Sequence, residues 1–581
     1  MILLGLATMG TSAAALVRDG VLVAAVEEER LTRIKNDGAF PLRAIAECLE
    51  IAGVTMAQVD AVAVYWRPFA LGQRVRGTLG KALASRAAFG SMARRTLGAL
   101  VARGADEAHP EATGSWADLF RARRILREAF GACPAEVAYY DHHLTHQLYA
   151  ESVVDWPDCL SLSVDGGGEV DATVLSLVRD GRRQDLKRIR WPNSLGHFYS
   201  AFTGYLGFRM LEGEYKMMGL APYGAPRLKD VILDRILRLE PDGGYRLDTT
   251  ICDYHRALEG SFPAELTELV GPPRAPDETP SEGHLALAAS VQAAFEAAQQ
   301  NLLRWGKAQA PGIERLAISG GCGLNVTANG RALQAGLFRE IIAPPAPHDG
   351  GCAVGAALAH LAAKRLPRPE GVASPYLGRG YSEDAVAAAF AAAGLTPPDP
   401  VTEDDLIAAV VEELAGGGVV AWHQGRTEYG PRALGSRSIL ADPRHDSIRE
   451  AINAKIKKRE LFRPFAPSTT IEACRDFFEI DQPSPYMNIL AAVRAEKRGV
   501  IPAVTHVDGT ARVHTVSAEA NPLYHRLITA FGERTGVPVL LNTSFNIQEP
   551  IVNTPAEALA TYLASGMDLL AIGRRLYRRG A

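Results

Sequence analysis

Apolar and polar positions alternate in short runs at the start of the chain. Residues 2–28 read as strand, loop of small residues, strand, Asp19-Gly20 turn and strand. Residues 160–190 repeat that plan. The match is visible in the letters: LVRDG stands at Leu16–Gly20 and again at Leu177–Gly181, an offset of 161 that puts Leu4-Gly5 on Asp165-Gly166. A duplicated hairpin of this kind predicts two related lobes with a cleft between them. Helical periods follow elsewhere, as over residues 283–309. In DHHLTHQLYAE, Asp141 is a candidate N-cap, and a helix from there puts His142 and His146 on one face while His143 points elsewhere. Downstream, the apolar strand Leu160–Val164 runs into Asp165 and three glycines.

Glycine-punctuated loops then recur. EGEYKMMGLAPYG (Glu212–Gly224) sets Lys216 before a Pro-Tyr-Gly turn. LAISGGCGLNVTANG (Leu316–Gly330) and PPAPHDGGCAVGAALAH (Pro344–His360) read as strand or loop passing into a helix. At such junctions, backbone N–H groups and the helix N-terminus favour anions. Two imidazoles four apart on a helix can hold one metal ion, and Asp165 could hold that ion or its water. The run LAAKRLPRPEGVASP is a linker by its Pro, Gly and charge content, which places a boundary near 366–376. A second α/β unit follows. Its cations Arg426, Arg432, Arg437, Lys457, Arg463 and Arg512 are spaced through apolar segments. Fixed cations of this kind suit a small phosphorylated substrate, because an arginine forks to phosphate oxygens. The competing reading is ion pairs with Glu428, Asp442, Glu460 and Asp508.

Composition narrows the field. With 581 residues the chain has room for three or more structural units, and its 47% hydrophobic and 22% charged content is that of a globular protein. A net charge of −4 argues against general nucleic-acid binding. Seven scattered cysteines without a CxxC pair read as reduced, cytoplasmic thiols. The apolar N-terminus has no Lys or Arg ahead of it, unlike a signal peptide, and no stretch is long and apolar enough to span a bilayer. Residues 61–105 hold no acidic residue and eight basic ones, from Arg67 to Arg103. That stretch reads as a solvated helical insertion, or as a lid or docking face for an acidic partner.

The ordered motifs EEERLTRIK, DHHLTH, SVDGGGE, EYKMMGLAPYG, GGCGLN, HDGGCAVGAA, QGRTEYGPRALGSRSI, RELFRPFAPS, THVDGTARVHT and LLNTSFNIQEP resemble those of the NodU/CmcH family of O-carbamoyltransferases over nearly the whole chain. The resemblance implies a two-lobed actin-like ATPase (ASKHA) domain over residues 1–368, with lobes of about 1–155 and 156–368. It implies a YrdC-like α/β domain over residues 376–581. The second domain would form carbamoyl adenylate from carbamoyl phosphate and ATP. The first would pass the carbamoyl group to a hydroxyl of a specialised metabolite such as an antibiotic. Carried over residue by residue, the metal ligands are His142, His146, Asp165 and Asp349, for a divalent ion with Fe(II) ahead of Mn, Zn or Mg. The catalytic set is Lys35, Arg432, Lys457, Arg463, Arg512 and Asn542. Nucleotide contacts fall to Gly166, Gly167, Lys216, Gly320, Gly321, Asn325 and Arg426. The resemblance brings in no nucleic acid and no membrane, and the chain does not declare an oligomeric state.

One departure stands out. Where the family carries a His-Asp pair in the first hairpin loop, this chain has Gly10 and Thr11 in MGTSAAAL, and His423 replaces an aromatic residue. The missing His is a candidate base or phosphate ligand. Its loss leaves two alternatives open: an adenylate-forming relative with a changed acceptor or transfer step, or a non-catalytic nucleotide-binding homologue acting through a partner.

Overall fold

The computed structural model describes residues 1–68 and 117–579. All the basic residues of 61–105 except Arg67 lie outside them. The chain divides into two compact units, one of Met1–Thr32 with Asn36–Ala373 and one of Arg33–Lys35 with Ser374–Ala581. The expected division had kept Lys35 with the first unit; the structure groups it with the second.

The first unit holds two five-stranded sheets of one plan. In the first, β1 (Ile2–Ala7), β2 (Ala13–Arg18), β3 (Val21–Glu27), β4 (Ala61–Tyr65) and β5 (Glu136–Tyr140) lie in the order β3-β2-β1-β4-β5. The first three strands form an antiparallel meander, and β4 and β5 run parallel to β1. In the second, β6 (Asp158–Val164), β7 (Asp171–Arg179) and β8 (Arg182–Arg190) form the meander. A small hairpin of β9 (Leu237–Leu239) and β10 (Tyr245–Leu247) lies outside it. β11 (Arg315–Ser319) and β12 (Glu340–Ile342) extend the second sheet in parallel, giving β12-β11-β6-β7-β8.

The repeated LVRDG is explained by its turns. Asp19 and Gly20 have φ of 51° and 82°, and Asp180 and Gly181 have 49° and 72°. Positive φ at both central residues gives the primed turn that matches the twist of a hairpin. The offset of 161 does not extend to the preceding strands. β1 pairs Ile2 with Arg18, whereas β6 pairs Asp158 with Arg179. By register Asp165 therefore answers to the loop after β1, next to Gly10, and not to Leu4.

Each sheet is followed by a helix that covers the other. The His142–Ser152 helix, after β5, packs on β6 and β11; the Cys352–Ala363 helix, after β12, packs on β1, β2 and β4. The two helices touch where Gly355 meets Thr145: a Cβ on Gly355 would stand 2.0 Å from the Thr145 carbonyl oxygen. Long crossovers need more chain, and the buried side of the 28-residue Glu282–Gln309 helix belongs to the connection between β8 and β11. Among the described residues no helix is long and apolar enough to cross a membrane.

The second unit is built on a nine-stranded mixed sheet. Its strands are β13 (Val420–His423), β14 (Arg437–Ala441), β15 (Ala466–Thr470), β16 (Phe478–Glu479), β17 (Ile489–Val493), β18 (Thr510–Val516), β19 (Val539–Ser544), β20 (Leu569–Ile572) and β21 (Arg575–Tyr577). They lie in the order β16-β17-β18-β15-β19-β14-β13-β20-β21. Helices Glu403–Ala415 and Pro522–Thr535 supply one apolar layer. Leu406, Val410, Leu414, Leu527 and Phe531 from them bury against Val420, Trp422 and Leu540 of the sheet.

Candidate active site

The first centre gathers on the helix that Asp141 caps. The Asp141 carboxylate accepts from Leu144 N at 3.0 Å and pairs with Arg67 Nη2 at 2.6 Å. His142 and His146 then share a face, with rings 4.6 Å apart and perpendicular. Asp165 leaves β6 and Asp349 opens the turn before the Cys352–Ala363 helix, so all four residues come from ends of the two sheets or the helices after them. His142 Nε2 lies 3.1 Å from Asp165 Oδ2 and 3.8 Å from Asp349 Oδ1, and His146 Nε2 lies 3.4 Å from Asp349 Oδ1. One ligand atom from each of the four falls within 4.8 Å of those of the others. His143 points away, between Ser163 Oγ at 2.8 Å and the Asp171 carbonyl at 2.8 Å.

The electrostatics suit a cation. Burial disfavours the Asp165 carboxylate, but the His142 hydrogen bond, the two imidazoles and Gly321 N hold its pKa well below the usual range. Burial also opposes charge on His142, yet Asp165, Asp349 and Glu169 raise it to about 9. Burial, with His142 beside it, lowers His146. Its Nε2 is buried without a hydrogen-bond partner. A buried ring nitrogen facing two carboxylates is what a divalent ion would complete, and a set of two imidazoles and two carboxylates fits Fe(II), Mn, Zn or Mg. Trp66 adds a condition. Its indole N–H can only donate, and it does so to His142 Nδ1 at 2.6 Å. That bond needs a lone pair on Nδ1 and so is made only by neutral His142, with its proton on Nε2 toward Asp165; the imidazolium that the carboxylates favour, and ligation through Nε2, both require Trp66 to give it up.

The glycine loops close on the same point. Gly321 N donates to Asp165 Oδ1 at 2.8 Å. Gly320 has a φ of 83° and passes so close to β6 that a Cβ would stand 2.1 Å from Val164 O. Gly166 and Gly167 lie next to Asp165, with the Gly166 amide against the N-terminus of the Leu195–Tyr205 helix at Gly196. Gly10 faces Asp349: with a φ of 66°, a Cβ there would stand 2.3 Å from Asp349 Oδ2. A histidine at position 10 would displace that carboxylate. Asn325 is engaged inside the fold, accepting from Ala328 N at 3.0 Å and exchanging two hydrogen bonds with Gln292. Lys216 lies over the Phe208 ring, 5.9 Å from its centre.

The second centre is cationic. Arg512, on β18, has its pKa held well below the usual arginine value by burial and then by Arg432, Arg459 and Arg463 around it. Its Nε is buried without a hydrogen-bond partner. Asn542, on β19, donates to Ala433 O at 3.1 Å and Ser468 Oγ at 2.9 Å. Lys457 differs from expectation. It is 1% exposed, and its Nζ donates to Ser544 O at 2.5 Å, Asn546 O at 2.8 Å and Asn546 Oδ1 at 2.6 Å. Burial, then Arg459, Arg463 and Lys35, lowers its pKa well below the ordinary value. Arg426 and Arg437 are structural donors. Arg426 holds Leu377 O and Gly378 O, and Arg437, fully buried, holds Gln424 O at 2.7 Å and Ser436 O at 3.1 Å. The expected acidic partners are mostly engaged elsewhere. Glu428 Oε1 takes the backbone N–H of Leu434, Ser436 and Arg437, Asp442 pairs with Arg444, and Asp508 takes Thr510. Glu460 does approach Arg463, at 3.7 Å. His423 is buried on Asn553 O.

Two contributors escaped the sequence reading. Arg459 stands in KKRELFRPF, two residues past Lys457, so its signal was present. Trp66 lies 76 residues from His142, and nothing local announces their contact.

Comparison with known proteins gives the class. Residues 2–358 match the model of the carbamoyltransferase N-terminus, and residues 411–579 that of the carbamoyltransferase C-terminus. The chain belongs to the carbamoyltransferase family and is an enzyme of that class. It is 38% identical to an uncharacterised protein of Synechocystis, over 97% of this chain and 94% of that one. It is also 38% identical to nodulation protein NolNO of Sinorhizobium fredii, over 98% of this chain and 79% of the relative. Identity to the 3'-hydroxymethylcephem-O-carbamoyltransferase of Amycolatopsis lactamdurans is 32%, over 69% and 73%.

Proposed function

We propose that the chain is an ATP-dependent O-carbamoyltransferase that makes carbamoyl adenylate in its second unit and transfers the carbamoyl group to a hydroxyl in its first. The observation that carries this is the partly buried Arg512, its Nε without a hydrogen-bond partner, in the field of Arg432, Arg459 and Arg463. Like charges held near one another in a partly desolvated site repel, and an anion shared between them relieves that repulsion. Carbamoyl phosphate and the phosphates of ATP are such anions. Atom balance requires one water to split carbamoyl phosphate into carbamate and phosphate, pyrophosphate to leave as the carbamate oxygen bonds the α-phosphorus of ATP, and AMP to leave on transfer.

In this reading Arg432, Arg459, Arg463 and Arg512 neutralise the phosphate and the charge that develops on the adenylate. Lys457 acts as a positioning residue through the Ser544–Asn546 loop, with Asn542 fixing the adjoining Ala433 loop. Lys35 joins them from the short segment that groups with this unit. The second unit takes the YrdC-like role. The doubled sheet order of the first unit is the plan of an actin-like ATPase, and its glycines at 166, 167, 320 and 321 let phosphate approach the backbone. His142, His146, Asp165 and Asp349 would hold a divalent ion, which when bound supplies Lewis-acid polarisation of the carbamoyl group. Position 10 cannot supply the base, so the acceptor hydroxyl gives its proton to another group of the centre or to the leaving phosphate. The named relatives, which act in nodulation and on a cephem, support an acceptor among specialised metabolites.

The test is pyrophosphate release from ATP and carbamoyl phosphate by the purified enzyme, followed by mass spectrometry of candidate acceptors for a carbamoyl addition. Release with carbamoyl phosphate but not without it is expected. Absence of release from folded, metal-supplemented protein would contradict the proposal.

A further inference from the structure

Cys352 stands beside the histidines, and the reaction as proposed does not use it. It follows Asp349 by three residues and opens the Cys352–Ala363 helix, so one turn of chain presents a carboxylate and a thiol to the same imidazoles. Ligand atoms of His142, His146 and Cys352 all lie within 4.8 Å of one another. The two sets share the histidines and differ in everything else. Asp165 and Asp349 are partly exposed, with side chains 13% and 19% accessible, whereas Cys352 is fully buried. The carboxylates offer hard oxygens on the open side; the thiol offers a soft sulfur on the inner side, under the helix crossing at Gly355.

We infer that the centre has a second, sulfur-containing ligand set, His142–His146–Cys352, that takes thiophilic divalent cations such as Cd²⁺ and Zn²⁺. This rests on the reading of the histidines as part of a divalent-ion centre. Ligand softness separates the two sets. Oxygen ligands suit Mn²⁺ and Mg²⁺, and thiolate suits Zn²⁺ and Cd²⁺. On binding, the Cys352 sulfur forms a bond to the ion and its proton leaves to solvent, so each ion taken up releases a proton. An ion held by the buried Cys352 loses the partly exposed carboxylate ligands that the hard ion would use. Thiophilic ions therefore occupy the centre and inhibit, and they do so in competition with the hard ion because both need His142 and His146.

The experiment uses the full chain and the metals alone. Cd²⁺ is titrated into the metal-free wild type while the ultraviolet thiolate-to-metal charge-transfer band and proton release are followed, and Mn²⁺ binding is measured by electron paramagnetic resonance. Cys352→Ser is expected to lose the band and to weaken Cd²⁺ by about tenfold or more, while Mn²⁺ affinity stays within about twofold. Asp165→Asn is expected to do the reverse, weakening Mn²⁺ and keeping the Cd²⁺ band. Thermal melting of both variants checks that they fold. A Cd²⁺ band that survives in Cys352→Ser, or Cd²⁺ affinity that falls with Asp165→Asn and not with Cys352→Ser, overturns the inference and leaves the carboxylate centre standing. Failure of both ions to bind wild type overturns the carboxylate centre with it.

Discussion

His146 offers the cleanest removal of a ligand at the scale of single residues. Its Nε2 has no other hydrogen-bond duty, but its ring is buried against His142, so His146→Ala should cost a cavity of about 1–3 kcal/mol, to be checked by melting. It should lower metal affinity and carbamoyl transfer by about 10²-fold or more, as loss of a ligand or of transition-state charge stabilisation does. Pyrophosphate release should persist, since the proposed adenylate step is that of the other unit. Metal titration alongside a transfer assay reads both effects. His143, its neighbour, should show in the pH dependence of stability instead. Burial lowers it from 6.5 to about 4. The unfolded chain then takes up a proton before the folded one does. Its contribution to stability is therefore present above pH 6.5 and lost as pH falls toward the folded value. Denaturation of His143→Asn should give a shallower acid slope than wild type over that window; equal slopes would remove His143 as a cause. The histidine spacing and the Asp141 cap were legible because they are local, four and three residues of one helix. Lys457 was legible in type but not in role, because its oxygens come from Ser544 and Asn546, some 87 to 89 residues on.

At the scale of elements, the close crossing of the His142–Ser152 and Cys352–Ala363 helices positions both sides of the proposed metal centre. A Cβ at 355 meets backbone, which cannot rotate away, so the helices must part. Gly355→Ala should cost about 1–3 kcal/mol and weaken metal binding, because the parted helices carry His142, His146 and the turn of Asp349. Denaturant melts paired with metal titration would show the two losses together; a stability loss with intact metal affinity would show that the crossing does not set the centre. The hairpins were readable from their Asp-Gly turns, which depend on two residues. The pairing of their first strands was not. The loop after β6 is longer than that after β1, so one offset in the letters misaligned Asp165 with Leu4 instead of the loop beside Gly10. The approach of Asp349 to Asp165 depends on two parallel crossovers, and only the family resemblance foresaw it.

For the whole molecule, the account joins two chemistries in one chain, and they should separate by mutation. Variants of the first unit should stop transfer and spare adenylate formation; variants of the second should stop both. The two-unit organisation was legible in the Pro-rich linker, whereas the assignment of Arg33–Lys35 to the second unit was not, since no composition change marks three residues. The central claim is that the partly buried cations around Arg512 bind carbamoyl phosphate and ATP and form the adenylate. The most direct measurement is carbamoyl-phosphate-dependent pyrophosphate release by wild type and by Arg512→Ala, with circular dichroism confirming that both fold. The account predicts release by wild type and a loss of about 10²-fold or more in the variant. Equal release by the two proteins, or none by wild type, would contradict it.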